Sequence, residues 1–166
     1  GPADGPQVIN YGYPTISTFY RIGPYSVDAA AVPTNLPLKS AVLFNGVYYL
    51  IDGVTVPTVG QKIVAVGRGY QAGVGIYQGP QTVPVGVDTG YAGGAILSGQ
   101  YLVGSSIYSP LAIPGFSGGP AFSLTVDATG IHRWLIGMVI AGDGQTTYVT
   151  PVASIEATLG LTVVFN

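Results

Sequence analysis

The sequence contains no cysteine and only one histidine, and it is poor in charge of either sign. Charged residues make up 7% of its 166 residues, against about 25% in a typical soluble domain. Without cysteine there are no disulfides, thiol nucleophiles or thiolate metal sites, and a single imidazole rules out a multi-histidine metal site. Five basic side chains are too few to neutralise a run of phosphates, so we expect no nucleic-acid partner.

Long apolar runs are also missing. A membrane-spanning helix needs about 20 consecutive apolar residues, and the longest runs here, such as residues 134–141, are short and broken by glycine. We therefore expect no membrane partner. The aspartates are spread over separate turns, so neither a metal nor another cofactor is expected. The low charge and the near absence of Glu and Lys favour an extracellular or virion setting.

What the sequence does have is a series of short β-branched and aromatic runs bounded by turn residues. Asn45-Gly46 lies between two such runs and predicts a hairpin. Residues 152–159 follow a proline, stop at a glycine and predict one short helix. This pattern favours an all-β barrel or sandwich. The predicted strands span 8–11, 16–22, 29–32, 41–44, 47–51, 62–67, 74–77, 81–87, 95–97, 102–106, 119–125, 134–141 and 147–151.

One motif has the composition of a nucleophile turn. Residues 115–120 read Gly-Phe-Ser-Gly-Gly-Pro. The glycines permit a tight turn, so the N–H groups of Gly115 and Ser117 could point at one spot and form an oxyanion hole. In a chain with 26 glycines, the same pattern also fits an ordinary glycine-rich turn between strands.

The surroundings of this motif resemble the trypsin-like (chymotrypsin-fold) serine peptidases, particularly short bacterial and viral members. GFSGGP is similar to their G-D-S-G-G-P, and WLIGMVIAG at 134–142 is similar to the following strand pair, which walls their substrate pocket. Residues 148–152 resemble their last strand, and residues 59–68 with Gly75 resemble the segment that opens their second barrel. Residues 27–32 are similar to the segment that carries the triad Asp. The resemblance covers about residues 27–160.

The resemblance implies a fold of chymotrypsin-like Greek-key barrels with a short C-terminal helix. The second barrel would be complete in residues 59–166 and carry Ser117. Residues 1–58 would be the remnant of a truncated first barrel and carry Asp28. In the family the Ser follows the Asp by close to ninety residues, and here the two are 89 positions apart (117 − 28).

The triad His of the family has no counterpart in this chain. The family's order is His, Asp, Ser, but residues 1–131 contain no histidine. His132 would lie in a loop between two strands of the second barrel, where the family implies a hairpin away from the cleft. A rewired Ser117–His132 pair would need a different fold. Lys39 and Lys62 are alternative bases, although each also fits a solvated strand or turn charge.

Phe116 is a second departure, because the family has Asp or another polar residue before the Ser. A phenyl ring cannot hydrogen-bond the oxyanion loop, but it could hold the loop by packing. The resemblance also implies a substrate pocket without a charged base to select Lys or Arg. Its residues would be Leu111, Ala112, Val139, Ile140, Ala141 and Gly142.

These observations predict a trypsin-like serine endopeptidase domain that acts on peptide or protein substrates but is inactive as this isolated chain. The chain could be a fragment or a processed form, it could be a pseudoprotease, or an upstream segment or another polypeptide could supply the His. The alternative is a virion, coat or extracellular structural protein. Its weakly charged surface would favour self-association.

Overall fold

The computed structural model of the chain describes residues 39–67, 72–87, 95–105 and 116–165, together with Val27 and four two-residue strands nearer the start. The prediction of a mostly-β chain with one short C-terminal helix is confirmed. The strands are β1 (Val8–Ile9), β2 (Ser17–Thr18), β3 (Arg21–Ile22), β4 (Ala30–Ala31), β5 (Ala41–Phe44), β6 (Val47–Leu50), β7 (Gly53–Val54), β8 (Lys62–Val66), β9 (Ala72–Pro80), β10 (Val85–Val87), β11 (Ala95–Leu97), β12 (Tyr101–Ser105), β13 (Pro120–Asp127), β14 (Gly130–Gly142) and β15 (Thr146–Pro151), followed by the helix α1 (Val152–Leu159).

Six of these strands form a closed antiparallel barrel. The order is β13-β8-β9-β12-β15-β14, and the pairing of β13 with β14 closes the sheet. Register shifts interrupt β13–β14, β14–β15 and β9–β12, and such irregularities bend strands around a barrel. The predicted barrel in the second part of the chain is therefore confirmed, whereas the boundary between 1–58 and 59–166 stays a prediction.

The barrel interior is filled by the inward-facing side chains of its strands and by one ring from a loop. Phe116 precedes β13 and is only 1% exposed, so it packs with the strand residues although it belongs to no strand. Burying a Phe side chain stabilises a fold by about 1.5–3 kcal/mol. The core residues are Ile63, Ala65, Tyr77, Val103, Phe116, Ala121, Ile136, Val139 and Val149.

The strands β5 and β6 form a separate hairpin whose inner face covers one side of the barrel. Its turn is the predicted Asn45-Gly46 pair, and both residues have positive φ, 48° and 76°, as a two-residue hairpin turn requires. Val42 from this hairpin packs with Val66 and Phe122 from the barrel. The hairpin is thus anchored beside the end of β8.

Several elements differ from the sequence prediction. His132 was predicted to lie in a loop, but it is a strand residue, because β14 already begins at Gly130 and pairs His132 with Thr125 on β13. The strand β9 is longer than the predicted 74–77. Residues 81–84 were predicted to be strand, but β9 ends at Pro80, because the Gln81 side-chain amide donates to the carbonyl oxygens of Val83 and Leu97 and holds a turn. The two-residue strand β7 was not predicted. It pairs in parallel with Trp134 and Leu135 on the outside of the barrel, a contact too short to leave a sequence pattern. The helix α1 has its predicted bounds, and Gly160 follows as its C-cap, with φ 64°.

A polar cluster ties the β13–β14 hairpin to the chain between β6 and β7. The Asp52 N–H donates to the Arg133 carbonyl, and the Arg133 N–H donates to Asp52 Oδ2, both at 2.8 Å. His132 lies between two carboxylates, with Nε2 3.1 Å from Asp127 Oδ1 and Nδ1 3.7 Å from Asp52 Oδ1. Its ring stacks on that of Trp134, with centroids 6.1 Å apart.

Gly137 tests how tightly the barrel strands approach each other. A methyl group added there would overlap the backbone carbonyl oxygen of Thr150 on β15, which cannot rotate away. We expect Gly137→Ala to lower the free energy of unfolding by about 2–3 kcal/mol. The matched control is Gly86→Ala, since no atom lies within 4 Å of that added methyl. Urea denaturation should separate the two variants, and equal midpoints would contradict the close approach.

The polar cluster gives the fold a defined pH dependence. The hydrogen bond with Asp127 raises the pKa of His132 above its ordinary 6.5, so the stability it contributes is complete below pH 6.5 and is lost as pH rises through the folded-state pKa. Hydrogen bonds from Thr129, then His132, lower the pKa of Asp127 from 3.8 to about 2, so its contribution is complete above pH 3.8 and is lost as pH falls toward 2.

Both contributions are therefore complete between pH 3.8 and 6.5. We expect thermal denaturation scans to show a decline in stability above pH 6.5 that His132→Gln abolishes. An unchanged decline in this variant would show that His132 is not its source.

Candidate active site

Ser117 lies on a tight turn that hydrogen bonds clip to β14. The Gly118 N–H donates to the Val139 carbonyl at 2.8 Å, and the Val139 N–H donates back to the Gly119 carbonyl at 2.9 Å. The Gly119 N–H donates to the Phe116 carbonyl at 2.8 Å and closes the turn. Gly118 has φ 83°, which a residue with a side chain rarely adopts. The backbone of the predicted nucleophile is therefore fixed on one face of the barrel.

The Ser117 turn packs against both the barrel core and the end of β8. Phe116 points into the core, so the residue before Ser117 anchors the turn by packing. A methyl group on Gly119 would overlap the backbone oxygen of Val66 at the end of β8, so only glycine permits this approach. Gly119 thus brings the turn against β8 while Ser117 stays exposed.

The Ser117 hydroxyl lies between two surface grooves. Its Oγ donates to the carbonyl of Ile140 at 3.4 Å, a long and therefore weak hydrogen bond. The first groove, of about 440 Å³, runs between the Ser117 turn, the end of β8 and the start of β5. The second, of about 470 Å³, lies between β10 and the end of β14. Its lining residues are Val85, Gly86, Ile140, Ala141, Gly142, Asp143 and Tyr148.

The pocket residues predicted on β14 fall into two kinds. Ile140, Ala141 and Gly142 line the second groove. Val139 is 2% exposed, and its N–H and carbonyl are both bound to the Ser117 turn, so it supports the turn from the core. Asp143 adds a carboxylate to this groove, and backbone N–H groups of Thr146 and Gln145 hold its pKa below the ordinary value. Asp28, Gly115, Leu111 and Ala112 lie outside the described residues.

His132 is far from Ser117. The distance between them can be measured along β14. His132 is a residue of this strand, and the Ser117 turn is hydrogen-bonded to Val139, seven residues further along it (139 − 132). At about 3.3 Å per residue, a continuous strand places the two roughly 20 Å apart. A general base must come within about 3 Å of the hydroxyl. The strand therefore keeps the only imidazole of the chain out of reach of Ser117.

The two lysines considered as bases also lie elsewhere. Lys39 Nζ sits 4.3 Å from the ring centroid of Tyr48 on the hairpin. Lys62 is exposed at the start of β8. The residue of β8 that lines the first groove is Val66, at the opposite end of the strand. Four residue steps separate these ends by roughly 13 Å. Within the described ranges, no three His, Asp or Glu side chains are grouped so that they could hold a metal ion.

Several groups at the site have no local sequence signal. The Ile140 carbonyl, the Val66 carbonyl and the β5 hairpin reach the Ser117 turn only through long-range strand packing. Asp52 likewise meets His132 across 80 positions of sequence (132 − 52). Motif spacing along the chain cannot report such contacts.

No described helix is long and apolar enough to cross a membrane.

No family model matches this sequence, and no curated protein matches it significantly. Solved structures do resemble it. The Cellulomonas bogoriensis chymotrypsin is 23% identical with a TM-score of 0.71, over 92% of this chain and 77% of that chain. Thermobifida fusca protease A is 21% identical with a TM-score of 0.66, over 92% and 76%. The Nocardiopsis protease is 21% identical with a TM-score of 0.64, over 87% and 71%.

These three proteins have less than 25% of their residues in common with this chain, so the likeness concerns architecture. It extends over most of the chain and agrees with the closed six-stranded barrel and its short terminal helix. The chain has the fold of the bacterial chymotrypsin-like serine proteases.

Proposed function

We propose that this chain is the nucleophile-bearing part of a trypsin-like serine endopeptidase and does not turn over peptides as an isolated chain. The observation that carries the proposal is the position of Ser117. It stands exposed on a hydrogen-bonded turn between two grooves, while the only histidine lies roughly 20 Å along β14.

In the proposed reaction, Ser117 Oγ attacks the carbonyl carbon of a peptide laid along the grooves. The N–H groups of Gly115 and Ser117 would stabilise the developing oxyanion, the interaction that supplies much of the catalysis in acyl transfer. The clip to Val139 and the buried Phe116 ring support this role, because they fix the turn before substrate arrives. Asp28 would orient the incoming imidazole.

The missing step is removal of the proton from Ser117 Oγ. A serine hydroxyl is a weak nucleophile until an adjacent base accepts its proton as the bond to carbon forms. Among the described residues, the hydrogen-bond partner of Oγ is the Ile140 carbonyl at a long 3.4 Å, and a carbonyl cannot take the proton. Only the residual catalysis due to the oxyanion hole and substrate binding is then expected.

Three explanations of the missing triad His are compatible with this site. An upstream segment could place an imidazole beside Ser117, or another polypeptide could do so. Alternatively, the chain could be a pseudoprotease that retains only binding. The described grooves are lined mainly by small and apolar residues, which fits an extended peptide or protein substrate. The weakly charged surface agrees with an extracellular setting.

A fluorophosphonate probe tests the absence of a base directly. We expect the purified chain to react no faster than its Ser117→Ala variant and to leave peptide substrates intact. A complete chymotrypsin-like protease under the same conditions is the positive control. Rapid labelling that Ser117→Ala abolishes would overturn the proposed inactivity.

Added imidazole tests whether the nucleophile is otherwise competent. General base catalysis typically contributes 10²–10⁴-fold, and a free base should restore part of it. We expect imidazole to accelerate acylation of the wild-type chain by an activated ester about tenfold or more over the rate with Ser117→Ala. Equal acceleration of both proteins would show that Ser117 is not the reacting group and would favour a binding role.

The exposed face of the hairpin favours a second candidate function, as an interaction or coat protein. Tyr48 and Leu50 on β6, and Leu43 opposite Tyr48 on β5, are 37–58% exposed on this face. Sedimentation velocity over a range of concentrations tests this candidate. A concentration-dependent dimer that a charged substitution at Leu50 disrupts would support it, and a monomer throughout would weaken it.

A further inference from the structure

An apolar cavity adjoins the first groove and lies between the β5–β6 hairpin and the barrel. It has a volume of about 200 Å³ and is lined almost wholly by apolar and aromatic side chains. Val42 and Val66 belong to both its wall and the wall of the Ser117 groove, but Ser117 itself does not line it. The other lining residues that the argument uses are Phe44, Tyr49, Ala72, Phe122, Ile131 and Arg133.

Arg133 is the one cation in this lining. Its guanidinium carbon lies 4.9 Å from the centroid of the Tyr49 ring, at the edge of the hairpin. Within the described residues it makes no ion pair with a carboxylate within 4.0 Å. A guanidinium held over an aromatic ring retains its N–H donors for a planar anion.

The nearby acids are directed to the opposite side of β14. Successive strand residues alternate between faces, so Arg133 and Ile131 share the cavity side while His132 and Trp134 share the other. Asp52 is committed there, because Oδ2 accepts the Arg133 backbone N–H and Oδ1 faces His132. The alternation thus separates the guanidinium from the carboxylates of the polar cluster.

We propose that this cavity binds a small apolar monocarboxylate. The volume holds roughly seven groups of the size of a water molecule, which suits an aliphatic chain of about that length. The chain would lie between Phe44 and Phe122. Because the wall is almost wholly apolar, the carboxylate would stay at the open side of the cavity and accept hydrogen bonds from Arg133 there. A neutral chain would gain only the apolar contacts, and a cation would be repelled. The site is independent of the Ser117 chemistry.

Titration calorimetry of the complete chain with octanoate tests the proposal, and octan-1-ol and octylamine serve as probes of matched length. We expect octanoate to bind at one site and more tightly than either. Arg133→Gln should weaken octanoate binding about tenfold and leave the octanol affinity unchanged. Lys62→Gln removes the same charge from an exposed strand position outside the cavity and should change neither affinity.

A filling variant separates the cavity from nonspecific association. Ala72 lines the cavity from an exposed position on β9, so Ala72→Leu should occupy part of the volume and fold normally. It should weaken octanoate and octanol alike. The proposal is wrong if octanoate fails to bind, if the three probes bind equally, or if neither Arg133→Gln nor Ala72→Leu affects octanoate binding.

Discussion

The pairing between the Ser117 turn and β14 is the constraint on which the rest of the site depends. One strand residue, Val139, accepts a hydrogen bond from the Gly118 N–H at its carbonyl and donates its own N–H to the Gly119 carbonyl. Its side chain is buried in the core, so the pair of hydrogen bonds transmits the rigidity of the barrel to the turn. Ser117 is thereby presented to solvent by a turn that cannot easily move.

The same strand determines what the site lacks. β14 is 13 residues long, and it carries His132 near one end and the Ser117 clip near the other. Extended backbone has no flexibility to bring these ends together. His132 is instead engaged by Asp127 and Asp52, where it joins the hairpin to the chain after β6. A single strand therefore both positions the nucleophile and separates it from the only imidazole.

Phe116 shows how the turn is held without the polar residue that the resemblance led us to expect. An Asp at this position would need a buried hydrogen-bond partner, whereas a phenyl ring needs only apolar neighbours. The barrel supplies them, with Ile136, Val149 and Ala121 in the same cluster. Glycine at 119 complements the ring, because it lets the turn lie directly on the Val66 carbonyl.

Local signals predicted much of this architecture. The Asn45-Gly46 turn, the helix α1 and most strands follow from turn residues and β-branched runs, which act over a few positions. The Gly-rich motif around Ser117 and the resemblance it carried indicated the fold. The Ile140 carbonyl, the hairpin wall and the Asp52–His132 contact could not be predicted, because strand packing brings together residues distant in sequence.

The distance between positions 117 and 132 tests the central claim most directly. The chain contains no cysteine, so Ser117→Cys with His132→Cys gives two unique sites for spin labels. Double electron–electron resonance should give one narrow distribution consistent with a backbone separation of roughly 20 Å. A distribution centred near 10 Å or below would place the imidazole within reach of Ser117 and contradict the account.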